Sequence, residues 1–294
     1  MLTAFVFTKV QEKDWQEGFL IGLQMNFRAV LIITGFSALG TELYNPKIRA
    51  FFLKTSFKQL PLALELSFES LPKMIAQIPD FKTIIRNPAS LVSKVVQQAE
   101  IRLVEIKERL NNMPKVYIVT GAIGEGKTSF LIELSKDLIG KNLKVGGFLS
   151  LRIMEADVTT GYDLFNISTS EKHAFLRPFH EGLSAKRIGR FSISEEGLLT
   201  GQQILEEATN GTFDVVIIDE VGKLELKGGG WAVQLRKLLD STNARIVLAI
   251  RKGSEYEMLA HFQILKYEII PVGKITANEC AKQISAEKRT ILAC

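Results

Sequence analysis

Eight consecutive residues constrain this chain more than any others: Gly121, Ala122, Ile123, Gly124, Glu125, Gly126, Lys127 and Thr128. They satisfy every fixed position of G-x-x-x-x-G-K-[ST]. An apolar β-rich run, Val116-Tyr-Ile-Val-Thr120, precedes them and a helix-like run over 127–139 follows. The spacing has a physical reason. Glycines let the backbone wrap closely around phosphate oxygens, and successive N–H groups then point inward at the positive end of a helix. Lys127 is placed to reach the terminal phosphates, and the Thr128 hydroxyl is a ligand for Mg²⁺. The predicted phosphate-contacting set is therefore Gly121 to Thr128 together with Ser129, which opens the helix beside Thr128.

A second pattern lies about 90 residues downstream, at Phe213-Asp-Val-Val-Ile-Ile-Asp-Glu220. Four apolar residues before Asp219 suit a strand buried on both faces, with the carboxylates emerging at its C-terminal end. An apolar run ending in Asp-Glu usually marks only a strand meeting solvent. Paired with a phosphate loop it predicts more: Asp219 as a Mg²⁺ ligand with Thr128, and Glu220 orienting or deprotonating an attacking water. Lys127 and Glu220 are the predicted catalytic pair.

Around these motifs, residues 114–294 alternate strand-like runs (144–151, 162–168, 173–177, 213–218, 245–250, 267–271) with helix-like runs (127–139, 195–208, 231–239, 277–285). Ser194 is placed to cap the second of these helices, and Thr276-Ala-Asn-Glu279 has capping-box spacing for the last. Alternation of this kind predicts an α/β sheet with helices on both faces. The close-spaced strands over 144–177 predict an antiparallel addition to it.

The 294 residues are 46% hydrophobic and contain two cysteines, Cys280 and Cys294. That excludes disorder and a disulfide-built miniprotein, and two thiols suit a reducing compartment. The net charge of +5 is uneven. Residues 1–113 carry 14 Lys and Arg against 10 Asp and Glu and hold ten of the 18 phenylalanines, while the remainder is nearly balanced. With Asn111-Asn112-Met113-Pro114 ending a helix-like run over 91–110, two domains are predicted. Residues 1–113 form an α-helical, basic domain, and residues 114–294 carry the phosphate site. No basic stripe or binding motif points to nucleic acid. His173, His180 and His261 lack metal-ligand spacing. Arg152, Arg177, Arg187, Arg190 and Arg251 are all candidates for a charge-stabilising arginine, and nothing in the sequence chooses among them. Glu225 reads equally as a supporting carboxylate or a solvated one.

Gly121–Thr128 together with Ile218-Asp-Glu-Val-Gly-Lys-Leu-Glu-Leu226 resembles the small P-loop enzymes of the cancer-related nucleoside-triphosphatase family. Lys144-Val-Gly-Gly-Phe148, Gly161-Tyr-Asp-Leu164 and Ile188-Gly-Arg-Phe191 stand in the order and spacing of that family's middle region. The resemblance runs from Val116 to the end. It implies a P-loop NTPase domain of RecA-like architecture and slow Mg²⁺-dependent hydrolysis of ATP and other nucleoside triphosphates. Two features depart from the family. Lys227-Gly-Gly-Gly230 is unusually glycine-rich, and a C-terminal Asn-Arg element is only partly echoed by Asn278-Glu279. A P-loop kinase acting on a small acceptor is the enzyme-class alternative.

The front part carries a run over 18–40 with one charge, Arg28. Its length would just cross a bilayer, yet Gln24, Asn26 and Arg28 fall in its middle, and a central arginine costs about 2.5–3.5 kcal/mol on insertion scales. Soluble packing and membrane association are weighed equally. Residues 45–58 mix basic residues with Phe51, Phe52, Leu53 and Phe57, as an interfacial segment does. Residues 60–72 follow as another helix-like run. This order resembles the later part of energy-coupling-factor transporter T components. The resemblance implies a membrane or membrane-protein partner reached through residues 18–86 and, as a further alternative, a nucleotide-dependent coupling role. With two thiols suited to a reducing compartment, a cytoplasmic location is expected, associated with the inner face of a membrane where that partner is engaged.

Overall fold

A computed structural model describes residues 15–43, 45–55, 113–179 and 187–291, with scattered helical positions between 96 and 104. The expected helix over 60–72, the end of the helix over 91–110, the Asn111-Asn112 joint and His180 lie outside the described residues. The chain divides into two compact units, Met1–Gln98 and Ala99–Cys294.

In the first unit, α1 (Trp15–Leu43) covers the apolar run and α2 (Pro46–Lys54) follows it. Asn45 caps α2 by accepting from Lys47 N at 3.1 Å. Pro46 takes the first helical position, where its missing N–H costs nothing. Along α1, Phe19, Leu20, Leu23, Met25, Phe27 and Val30 to Ile33 are exposed. Among the described residues, no helix is long and apolar enough to cross a membrane.

The second unit is built on one nine-stranded sheet, with β1 (Val116–Gly121), β2 (Val145–Glu155), β3 (Val158–Asn166), β4 (Lys172–Pro178), β5 (Arg187–Ile188), β6 (Phe191–Ile193), β7 (Val215–Val221), β8 (Arg245–Arg251) and β9 (Tyr267–Pro271). Across the sheet the order is β5-β6-β4-β3-β2-β7-β8-β1-β9. From β2 to β9 the strands are parallel, and β3, β4, β6 and β5 extend the sheet antiparallel. β1 is buried at every position, which is why it reads as a continuous apolar run rather than an alternating one.

Helices α3 (Lys127–Gly140) and α8 (Ala277–Ile291) cover one face. Leu131, Leu134 and Leu138 of α3 meet Ala277, Cys280, Ala281 and Ile284 of α8 over Tyr117, Val119, Ile217 and Val247. The other face holds α4 (Glu195–Asn210) and α6 (Ala232–Ser241). There Trp231 packs against Phe148 and Phe175, with ring centroids 4.6 and 5.1 Å away. Both expected caps form: Gly197 N donates to Ser194 Oγ at 3.2 Å, and Glu279 N donates to Thr276 Oγ1 at 3.2 Å. The mostly parallel α/β sheet with helices on both faces and an antiparallel addition is the fold expected from the sequence. The β5–β6 hairpin and two short helices, α5 (Lys223–Leu226) and α7 (Glu255–His261), were not anticipated, being too short to show a period.

Candidate active site

The parallel order β2-β7-β8-β1 brings four strand ends to one edge of the sheet, where ligands of open α/β sheets collect. β1 runs out at Gly121 and the chain turns through Ala122, Ile123, Gly124 and Glu125 to Gly126, the cap of α3. Gly124 and Gly126 hold φ of +82° and +87°, which requires glycine at both positions. Ala122, Ile123, Gly124, Glu125 and Ser129 are exposed at this edge, and Lys127 and Thr128 are half-buried. Lys127 Nζ folds back onto the loop, donating to Gly121 O at 3.0 Å and to Ala122 O at 2.9 Å. Glu125 accepts from Ala122 N at 2.6 Å and so closes the loop on itself.

β7 delivers Asp219 and Glu220 beside this loop. Asp219 is fully buried, and Thr128 Oγ1 donates to its Oδ2 at 2.8 Å. Ser150 N donates to the same oxygen at 3.2 Å, and Glu220 N to Oδ1 at 2.9 Å. Burial pushes the Asp219 carboxyl above the usual carboxylate range; the three hydrogen bonds and the Lys127 charge oppose that. Glu220 opens to solvent at the mouth of the site but is crowded by protein, and burial with the neighbouring Asp219 raises it to about 6. Lys127, Arg251 and Arg152 pull it the other way. Its φ of +57° sits where the β7–β8 register slips between Ile218 and Val221. That irregularity turns the carboxylate out of the strand alternation.

The donor set suits a divalent cation of Mg²⁺ type: a hydroxyl and a carboxylate, both hard oxygen ligands, meet at the mouth of a phosphate loop. Among the described residues no group of three or more His, Cys, Asp or Glu is placed to hold a metal.

Glu225 is not solvated. It is 2% exposed and accepts from Gly222 N at 2.8 Å and from Trp231 N at 3.4 Å, tying together both ends of the glycine-rich segment that follows Glu220. Burial raises its carboxyl.

The structure separates the arginine candidates. Arg177 is committed elsewhere, to Asp163 Oδ1 at 2.6 Å and to the carbonyls of Tyr162 and Leu176. Arg190 lies over the Phe191 ring. Arg152 and Arg251 extend from β2 and β8, the two strands flanking β7. The Arg187 side chain lies outside the described residues. His173 sits on β4 and His261 at the end of α7. Sequence reading missed Glu255, buried at the start of α7 and bonded to Thr120 Oγ1. No motif marks it, since a glutamate opening a helix ordinarily serves only the helix dipole.

A glycine loop joining a buried strand to a helix, with an aspartate from a second parallel strand bonded to the loop's threonine, defines a P-loop nucleotide-binding protein. The model of the family described as NTPase matches residues 116–285, more than half of the chain, and the chain belongs to that family. The enzyme class expected from the sequence, a nucleoside-triphosphate phosphohydrolase, is that family's class. The chain is 30% identical over 129 residues to nucleoside-triphosphatase THEP1 of Methanopyrus kandleri, covering 44% of this chain and 69% of that protein. With nucleoside-triphosphatase THEP1 of Archaeoglobus fulgidus it shares 26% identity over 167 residues, covering 57% of this chain and 94% of that protein. Among solved structures, a human cancer-related nucleoside triphosphatase is similar with a TM-score of 0.48 and 19% identity, covering 60% of this chain and 98% of that one.

Proposed function

We propose that residues 114–294 form a catalytic domain that hydrolyses ATP and other nucleoside triphosphates to the diphosphate and phosphate, with Mg²⁺. The observation that carries this reading is the Thr128 Oγ1–Asp219 Oδ2 hydrogen bond at 2.8 Å. It joins the phosphate loop to the strand end that also bears Glu220.

Thr128 and Asp219 would hold the cation, which supplies neutralisation of charge on the phosphate oxygens. The amides of residues 121–129 receive the phosphate chain. Lys127 exchanges two backbone carbonyls for phosphate oxygens, a stronger charge-assisted pairing. Glu220 orients a water in line with the γ-phosphorus and accepts its proton. As the water oxygen bonds to phosphorus, the bridging P–O bond breaks and its electron pair leaves on the diphosphate. A carboxylate beside the magnesium aspartate favours water over another acceptor.

Phosphate release from the purified chain with Mg²⁺ and each of ATP, GTP, CTP and UTP tests the reading, with Glu220→Gln beside it. Release that disappears in Glu220→Gln while nucleotide binding persists is the expected result. Release unchanged in that variant overturns the role given to Glu220.

A further inference from the structure

The turn after β8 is built against the phosphate loop more firmly than a surface connection needs. Residues 251–254 form a tight turn closed by Ser254 N to Arg251 O at 3.1 Å, with Gly253 at a φ of +92°. Lys252 N donates to Gly121 O at 3.1 Å, and this is the carbonyl that also receives Lys127 Nζ. Glu255 supplies the third tie. Its carboxylate is 7% exposed, accepts from Gly253 N at 2.7 Å through one oxygen, and through the other accepts from Thr120 Oγ1 on the strand that becomes the phosphate loop. A buried carboxylate thus spans β1 and the turn, and burying it is costly unless both oxygens are bonded as they are here.

What this construction holds in place is Arg251. It stands opposite Gly121 in the β1–β8 register, on the strand next to the one bearing Glu220. Its side chain is exposed and makes no ion pair among the described residues. Its charge, like that of Lys127, acts on the Glu220 carboxylate, so both cations face the edge that a triphosphate would enter.

We propose that Arg251 is a charge-stabilising catalytic residue supplied by the chain itself, and that Glu255 is the positioning residue that aims its turn at the phosphate loop. The inference rests on the hydrolase reading above and names a residue beyond it. Charge that develops on the transferring phosphoryl group meets the guanidinium, whose planar fork pairs with two oxygens at once. Glu255 touches no substrate and acts only through the turn.

The test uses the full chain and four variants: Arg251→Ala, Arg251→Lys, Glu255→Gln and the double Arg251→Ala/Glu255→Gln. Turnover is read by phosphate release and nucleotide affinity by titration calorimetry, with Arg190→Ala as the unchanged control. Arg251→Ala should lose about 100-fold or more in kcat while nucleotide Kd changes by less than about threefold. Added guanidinium should restore part of that rate, and Arg251→Lys should fall between. Glu255→Gln should lose about tenfold in kcat, and the double variant should be no slower than Arg251→Ala alone, because both changes remove one interaction. Wild-type kcat in Arg251→Ala, a loss confined to affinity, or losses that multiply in the double variant each overturn the inference and leave the hydrolase reading standing. A wild-type chain that binds nucleotide but releases no phosphate above a protein-free blank overturns the hydrolase reading, and this inference with it.

Discussion

Glu220 holds a left-handed backbone conformation that non-glycine residues adopt at a cost of about 1–2 kcal/mol, and its carboxylate lies against Asp219. The water-positioning role proposed for Glu220 gives a reason for a strained, like-charged glutamate to stand here. Replacing it with glycine removes both burdens. Glu220→Gly is expected to raise stability by about 1 kcal/mol, read as a higher urea midpoint, while turnover is lost. A lowered midpoint would show that the conformation carries no strain. Lys127 is the opposite case: its ammonium is satisfied by two carbonyls in the loop itself, so removing it costs the fold little. Lys127→Ala is expected to retain its thermal midpoint and to lose tight nucleotide binding in calorimetry, since no other group in the loop carries a positive charge.

Among the elements, the β2–β7 pairing depends on one glycine. Gly147 holds a φ of +93°, and a Cβ there would lie 2.0 Å from Ile217 O. Gly147→Ala must therefore displace β2 from β7. A loss of more than about 3 kcal/mol is expected, visible as an insoluble or unfolded product, because backbone rather than a flexible side chain is in the way. The segment after β7 is held differently, by Glu225 between Gly222 N and Trp231 N. Its carboxyl is raised in the folded chain, so folding takes up a proton there between the ordinary value of 4.5 and the folded value. The stabilisation from the protonated form is complete below 4.5 and is lost as pH rises through the folded value. Wild type minus Glu225→Gln in unfolding free energy should accordingly decline with rising pH over that window and level off above it. A flat difference would place the Glu225 carboxyl in ordinary solvent-like surroundings.

At the scale of the molecule, the two units carry different kinds of surface. The second unit closes its own core on both faces of the sheet, while α1 of the first leaves large apolar side chains exposed along its length. The candidate site is assembled from β1, β7, β8 and the loops between them. A fragment of residues 114–294 is therefore expected to fold, with a cooperative thermal transition, and to hydrolyse nucleoside triphosphates at a rate close to that of the full chain. A folded fragment without turnover would assign residues 1–113 a part in the reaction itself.

Local rules made much of this readable from the residues. The glycine loop, the apolar run into Asp219-Glu220, the Ser194 cap and the Thr276–Glu279 box each depend on neighbours a few positions away, and each announces itself by spacing. The sequence by itself therefore determined the α/β class and the identity of the phosphate loop. It also determined the carboxylates paired with that loop. Only the tertiary structure decided which strand ends lie side by side, because strand order depends on packing between segments far apart in the chain. Hence five arginines were equal candidates until β8 and β2 proved to flank β7. Glu255, 135 positions from Thr120, became visible only once β1 and the turn after β8 were brought into contact.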